Sequence, residues 1–285
     1  MSLPDKVVIT CALSGAVTTR KQCPAIPYTP EEYGEEARRA WEAGAAVLHI
    51  HAREDDGMPT YASKRYGEIK EAITARCPIL LNFSTGAVGI PMEERVAHVV
   101  DHKPHIGALN MGSLTYAKYS EKRKDFVFDF VFSNPFSDII FLMKRMNESG
   151  VKPELECFDV GHPNNAYPLL DMGVLKPPLD FSFILGVQGG IPASIKHLTY
   201  QVDQIPPGST WKTIGISRDQ WMLTAGALAM GGNVRVGLED NFYLPDGQMV
   251  RSNGELVAKA AAMARDVGRT PASVDEAKAI LGLAK

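Results

Sequence analysis

The chain has 285 residues, 45% of them hydrophobic and 22% charged, and 30 Lys+Arg against 33 Asp+Glu leave a formal charge of −3. That balance argues against nucleic acid as the main partner, and no apolar run approaches the ~20 residues of a membrane-spanning helix. The opening MSLPDKVVIT lacks a signal peptide's basic start and cleavage site, so a cytoplasmic location is expected; Cys11, Cys23, Cys77 and Cys157, without CxxC spacing, fit reduced thiols better than a disulfide frame or a cysteine zinc site.

Short β-branched runs alternate with amphipathic stretches along the whole chain, which predicts a parallel sheet. The first strand is expected over 6–12, followed by a loop rich in Gly, Thr and Pro. Thr29 then serves as N-cap, Pro30 suits the first helical position, and Glu32 closes a capping box. Strand two is expected over 45–51 with a helix at 61–76, strand three over 79–84 with a helix at 91–101, and strand four over 106–111. Clustered aromatics and the basic patch Lys122 to Lys124 break the rhythm at 116–136, a long excursion suited to a lid or an oligomer contact. The alternation resumes with a helix at 137–149, strand five at 154–158, a helix at 165–172, strand six at 180–185, strand seven at 211–216 and a helix at 220–230. Strand eight is expected over 233–238, with a helix over 252–267 and a last one capped by Ser273 and Glu276. Eight strand-then-helix units in this length predict a (β/α)8 TIM barrel forming a single domain over 1–285, with a doubly wound open sheet as the alternative. Functional groups of a barrel sit at the C-terminal ends of its strands.

Strand two ends in His49-Ile50-His51-Ala52-Arg53, and residues two apart face the same way ~6.6 Å apart, which suits two imidazoles on one zinc as well as two hydrogen-bonded rim histidines. Strand eight ends in Arg235-Val236-Gly237-Leu238-Glu239-Asp240, where either acid could complete a three-residue metal site with an open position, or could be a solvated loop acid. Arg235 and Glu239 share parity, yet four strand residues span ~13 Å, so Arg235 must reach upward or Gly237 must mark a bulge. Ser84 and Gly86 after strand three and Ser113 after strand four offer groups to grip a small polar substrate. On strand five, Glu154 and Glu156 share one parity and fit either catalysis or a salt bridge to a barrel arginine. The glycines from Gly186 to Gly190 either bind phosphate at a helix start or merely start the helix, and of the other histidines only His162 falls near the mouth.

In combination these residues resemble the β-keto acid cleavage enzymes, zinc-dependent barrels that use acetyl-CoA. The resemblance runs from Ile9-Thr10 through Gly15, Thr19-Arg20 and Pro24, then His-Ile-His-x-Arg at 49–53, Ser84-Thr85-Gly86, Lys152-Pro153-Glu154 to Phe158-Asp159, Gly186 to Pro192, and the Arg-Val-Gly-Leu-Glu-Asp run at 235–240. It implies an acyltransferase that converts a β-keto acid and acetyl-CoA into acetoacetate and a new acyl-CoA. It places the Zn2+ ligands on His49, His51 and Glu239, the catalytic pair on Arg235 and Asp240, a substrate-binding serine on Ser84, and the strand-five glutamate on Glu156 in preference to Glu154. Family members acting on amino-bearing acids carry a carboxylate in the first loop where this chain has Val17, which implies a neutral or apolar acyl tail. A homo-oligomer, a tetramer built on two-fold axes, is the expected assembly. Two other readings remain: a metal-dependent hydrolase, which would want further strand-end histidines, and a catalytically silent metal-binding barrel, which would not need the pairing of Arg235 with Asp240.

Overall fold

Local signals set the helix starts. At Thr29 the side chain accepts from the Glu32 N–H while the Glu32 carboxylate accepts from the Thr29 N–H, and Pro30 opens the helix Pro30–Ala43; such a cap contributes about 1 kcal/mol. The phase so fixed buries Tyr33, Ala37 and Ala40 along one side. Ser273 and Glu276 form the same reciprocal pair at the start of Val274–Ile280.

The computed structural model describes residues 4–283. Strands one to eight, Ile9–Ala12, Val47–Ile50, Leu80–Ser84, Ile106–Asn110, Lys152–Cys157, Asp180–Leu185, Thr210–Gly215 and Asn233–Val236, pair in parallel, each with the next, and Val234 beside Ile9 closes the ring. The open-sheet alternative is thereby excluded. Outward residues such as Leu48, Ile50, Phe83, Leu155, Phe181 and Phe183 pack with the surrounding helices into one core. Inward residues form layers. Val8, Val47, Leu80 and Ile106 make an apolar floor sealed by Ala277 and Leu281 of the C-terminal segment, while one and two steps higher the layers turn polar with Thr10, His49, Asn82, Glu154, Lys212 and Arg235, all buried. The floor is therefore closed and chemistry is confined to the opposite, C-terminal mouth. Among the described residues no helix is long and apolar enough to cross a membrane.

Two expectations need correction, and the excursion after strand four takes a definite form. The first strand is split: Lys6–Val7 pairs with Thr270–Pro271 outside the barrel, and the Val8 N–H donates instead to Asn233 Oδ1 at 2.8 Å. The aromatic excursion is an antiparallel hairpin, Leu114–Ser120 with Asp125–Phe132. The glycines after strand six start no helix, which begins only at Ile195 behind the Ser194 cap; Gly189 lies so close to the hairpin that a Cβ there would fall 1.7 Å from the Thr115 carbonyl oxygen.

Candidate active site

The spacing difficulty on strand eight is resolved by Gly237. The strand ends at Val236, and Gly237, at φ +145°, turns the chain so that the Asp240 and Asn241 N–H groups both donate to its carbonyl at 3.0 Å. A Cβ at this position would sit 2.2 Å from the Ala12 carbonyl oxygen, so only glycine fits. The turn folds both acids back over Arg235. Asp240 accepts two bonds from the guanidinium, Nε to Oδ2 at 3.0 Å and Nη2 to Oδ1 at 2.9 Å, while Nη2 also donates to Glu239 Oε1 at 2.6 Å. The third nitrogen, Nη1, is buried without a hydrogen-bond partner, 3.6 Å from Glu156 Oε1.

Glu239 reaches across the closure of the barrel to strand two. Its Oε1 lies 3.5 Å from His51 Nε2, and its Oε2 lies 3.7 Å from His49 Nε2. Ligands at ~2.0–2.1 Å around a tetrahedral metal stand about 3.4 Å apart, so the three side chains are already spaced to hold one ion. Two further features fit. Glu239 Oε2 is buried with no hydrogen-bond donor, and burial, aided by the Arg235 cation, holds His49 well below the usual imidazole range, in the neutral form a metal requires. Burial disfavours the Glu239 anion, but Arg235, His51 and His49 outweigh it and keep the carboxyl well below the usual range. The second acid cluster on His49, with Glu154 and Glu156, suits a metal less well, because Glu154 is already committed: it accepts from Asn82 and Ser182 and pairs with Lys212 Nζ, each at 2.8 Å. Lys212 also holds Asp180 at 2.7 Å. The expected partner of Glu154 was an arginine; a lysine from strand seven takes the place.

Burial pushes Glu156 up to about 8, against the pull of Arg235, and Asp240 up to about 6, against the same guanidinium. Two carboxyls on one arginine are thus set apart, the first carrying its proton at neutral pH and the second available as a base.

The surrounding loops are pinned to this cluster. Arg53, fifth residue of the strand-two motif, is buried and donates to the carbonyls of Gly15 (2.9 Å), Thr18 (2.7 Å) and Gly57 (2.7 Å), which shapes the first loop. Tyr33, presented by the capped first helix, donates to the His51 carbonyl at 2.5 Å and is linked to Ser14 at 2.6 Å. Asn253 accepts from the Leu238 N–H at 2.9 Å and donates to the Leu13 carbonyl at 3.2 Å, tying the acid-bearing turn to the same loop.

Above the cluster opens a cavity of about 880 Å³ lined by His51, Glu239, Arg235, Asp240 and Glu156, by Ser84 and Gly86, and by Val17 at its rim. Ser84 Oγ accepts from the Gly86 N–H at 3.1 Å, which leaves its O–H free to donate. Ser113 is not in the lining: it is exposed, and its hydroxyl accepts from the Asn134 N–H at 2.7 Å at the root of the hairpin. Asn110, three residues earlier at the end of strand four, lines the cavity in its stead. His51 is the lone histidine of the lining among the described residues, so the extra strand-end histidines of a hydrolase site are missing. His162 instead accepts from the Phe158 N–H at 3.1 Å, packed against Gly112.

Fold and site together define a barrel enzyme with a metal-competent two-histidine, one-glutamate cluster beside an arginine-held aspartate. The chain belongs to the β-keto acid cleavage enzyme family, whose model matches residues 6–283. It is 40% identical over 283 residues to the 3-keto-5-aminohexanoate cleavage enzyme of Fusobacterium nucleatum subsp. nucleatum, covering 99% of each chain. It is 32% identical to the 3,5-dioxohexanoate:acetyl-CoA acetone transferase of Paraburkholderia graminis, covering 99% of this chain and 97% of that one. Among solved structures, apo ObcA superposes with a TM-score of 0.78 at 21% identity, over 91% of this chain and 66% of that one, a likeness of fold.

Proposed function

We propose that the protein is a zinc-dependent acyltransferase that exchanges acyl groups between a β-keto acid and acetyl-CoA, releasing acetoacetate and a new acyl-CoA. The observation that carries this reading is the Gly237 turn, which sets a buried, arginine-clamped aspartate beside a metal-competent triad inside one cavity. Binding of a metal alone would need no such clamp.

In this reading Asp240 removes the C2 proton of the β-keto acid, held in line by its two bonds from Arg235. The C2 carbanion attacks the acetyl thioester carbonyl and expels CoA as thiolate. The thiolate then attacks the original keto carbon, the C2–C3 bond breaks, and the proton returns from Asp240 to C2. In the same reading the Ser84 hydroxyl, Arg235 and protonated Glu156 hold substrate oxygens, which their common place in the cavity lining supports. A divalent ion bound by His49, His51 and Glu239 would supply Lewis-acid stabilisation of charge on the keto oxygen.

The rim around Val17 supports a neutral or apolar acyl tail: Ala16, Ala87, Val88 and Ile90 line it, and Glu94 is the one acid of the lining outside the Arg235 cluster. The same reading takes the chain as one barrel domain, cytoplasmic and homo-oligomeric, with a tetramer as the working assembly; the unbroken core around the barrel supports the single domain. A mass-spectrometric screen of zinc-loaded protein with acetyl-CoA and a panel of β-keto acids, run beside Asp240→Asn, is the test. New acyl-CoA with acetoacetate, lost in the variant and strongest for unsubstituted tails, is expected. A preference for amino-bearing acids would contradict the tail assignment, and bound zinc without product would return the protein to a silent barrel.

A further inference from the structure

The cavity does not end at the barrel mouth. Its wall continues outward along one face of the hairpin Leu114–Ser120 and Asp125–Phe132, which contributes Tyr116, Phe130 and Phe132 to the lining. Strand register sets the rest of that face. Tyr116 lies opposite Phe130, and one step outward Lys118 lies opposite Phe128. The rings of Tyr116, Phe128 and Phe130 are near-parallel, with centroids 5.6–6.0 Å apart and interplanar angles of 5–27°, an offset-stacked aromatic platform rather than a coplanar sheet. Phe130 remains 37% exposed, which leaves the ring open to a ligand. Beyond the platform the turn carries Lys122, Arg123 and Lys124, all exposed. Among the described residues no carboxylate lies within ion-pair distance of Lys118, Lys122 or Lys124, and Arg123 approaches only Asp125, at 3.8 Å. The platform is rigidly mounted, because the Ala117 N–H donates to the Gln188 carbonyl at 3.2 Å and Gly189 admits no side chain against Thr115.

We propose that this hairpin is the nucleotide subsite for the CoA thioester: the adenine stacks on the Tyr116, Phe128 and Phe130 platform, and the phosphates meet Lys118 and the basic turn. The proposal rests on the acyl-transfer reading above. The geometry suits a ligand with a reactive thioester at one end and a planar, polyanionic head at the other. The thioester must reach the Arg235 cluster, and the four residue steps from Tyr116 to Ser120 carry the hairpin strand ~14 Å outward to the basic turn. On a chain of net charge −3, Lys118, Lys122, Arg123 and Lys124 outnumber the hairpin's Glu121, Asp125 and Asp129 by one, a small positive excess for the phosphates.

Calorimetric titration of CoA and of acetyl-pantetheine, which lacks the nucleotide, into wild type, Phe128→Ala and the triple variant Lys122→Ala/Arg123→Ala/Lys124→Ala tests it. All substituted side chains are exposed or half-buried on the hairpin, away from the barrel core. Each variant is expected to bind CoA about tenfold more weakly while keeping the wild-type affinity for acetyl-pantetheine, and the triple variant is expected to lose most of the salt dependence of CoA binding. Unchanged CoA affinity in both variants would overturn the subsite, as would a change of mass in sedimentation without a change in CoA affinity, which would give the face to a second copy of the chain. Absence of CoA binding to the wild type would overturn the acyl-transfer reading itself, and the subsite with it.

Discussion

At the scale of single residues, the site depends on backbone positions as much as on charged groups. Gly237→Ala would force a Cβ to within 2.2 Å of the Ala12 carbonyl at a φ that side chains rarely adopt. The turn must open, carrying Glu239 and Asp240 off Arg235. A loss of about 2–3 kcal/mol of stability is expected in urea unfolding, with activity abolished; a variant of wild-type stability and rate would refute this role for the turn. Glu239→Gln keeps the shape and removes the anion. The purified variant is expected to retain roughly a tenth or less of the zinc held by wild type when measured by elemental mass spectrometry after dialysis; full retention would remove Glu239 from the ligand set. His49, His51, Arg235, Glu239 and Asp240 were all legible in the sequence as strand-end groups, since parity and strand ends can be read from a chain. Two things could not be read. The ~13 Å gap closes through a turn angle that only the folded Gly237 reveals, and the hydroxyl of Ser113 is spent on the hairpin root while Asn110 faces the cavity. Counting residues past a strand end does not say where the chain leaves the barrel.

At the scale of elements, the inward face of the barrel carries charges that must be paired across strands. Lys212 on strand seven neutralises Glu154 on strand five and Asp180 on strand six, all at most 3% exposed. Lys212→Met leaves two buried carboxylates facing each other and is expected to cost about 3–5 kcal/mol, whereas Lys212→Met combined with Glu154→Gln and Asp180→Asn is expected to recover most of that loss. A cost below about 1 kcal/mol for the single variant would show the cluster to be idle. This pairing was invisible in the sequence because it depends on register: Lys212 sits opposite Ser182, which sits opposite Glu156, and only the pairing of the neighbouring strands five, six and seven sets which inward side chains meet. Helix starts were legible, since the capping boxes at Thr29 and Ser273 are local chemistry. The glycines after strand six were misleading for the opposite reason, their freedom being used against Thr115 of a hairpin dozens of residues away.

At the scale of the whole molecule, the alternation of strands and helices sufficed to specify the barrel, but not the hairpin, whose aromatic alternation is that of any two-sided strand until its partner is known. Nor did the sequence single out His98. Its ring stacks on Tyr66 at 3.9 Å, and its Nε2 bonds the Ser84 carbonyl at 2.8 Å, so it braces strand three from behind. Its Nδ1 is buried without a partner, and burial lowers the ring to about 4. Above pH ~6.5 the ring is neutral in folded and unfolded chains alike and its contribution is complete. As pH falls from there towards 4 the unfolded chain takes up a proton that the folded chain refuses, which is expected to cost about 2 kcal/mol by pH 5. Urea midpoints of wild type and His98→Gln at pH 7 and pH 5 should therefore converge as pH falls; parallel losses in both would place the acid sensitivity elsewhere. The exchange of acyl groups is tested most directly with acetyl-CoA carrying carbon-13 in both acetyl carbons. The labelled acetyl group should appear as C3 and C4 of acetoacetate while the new acyl-CoA remains unlabelled. Label recovered only as acetate or unreacted acetyl-CoA, with the β-keto acid cleaved, would mean hydrolysis and contradict the transfer.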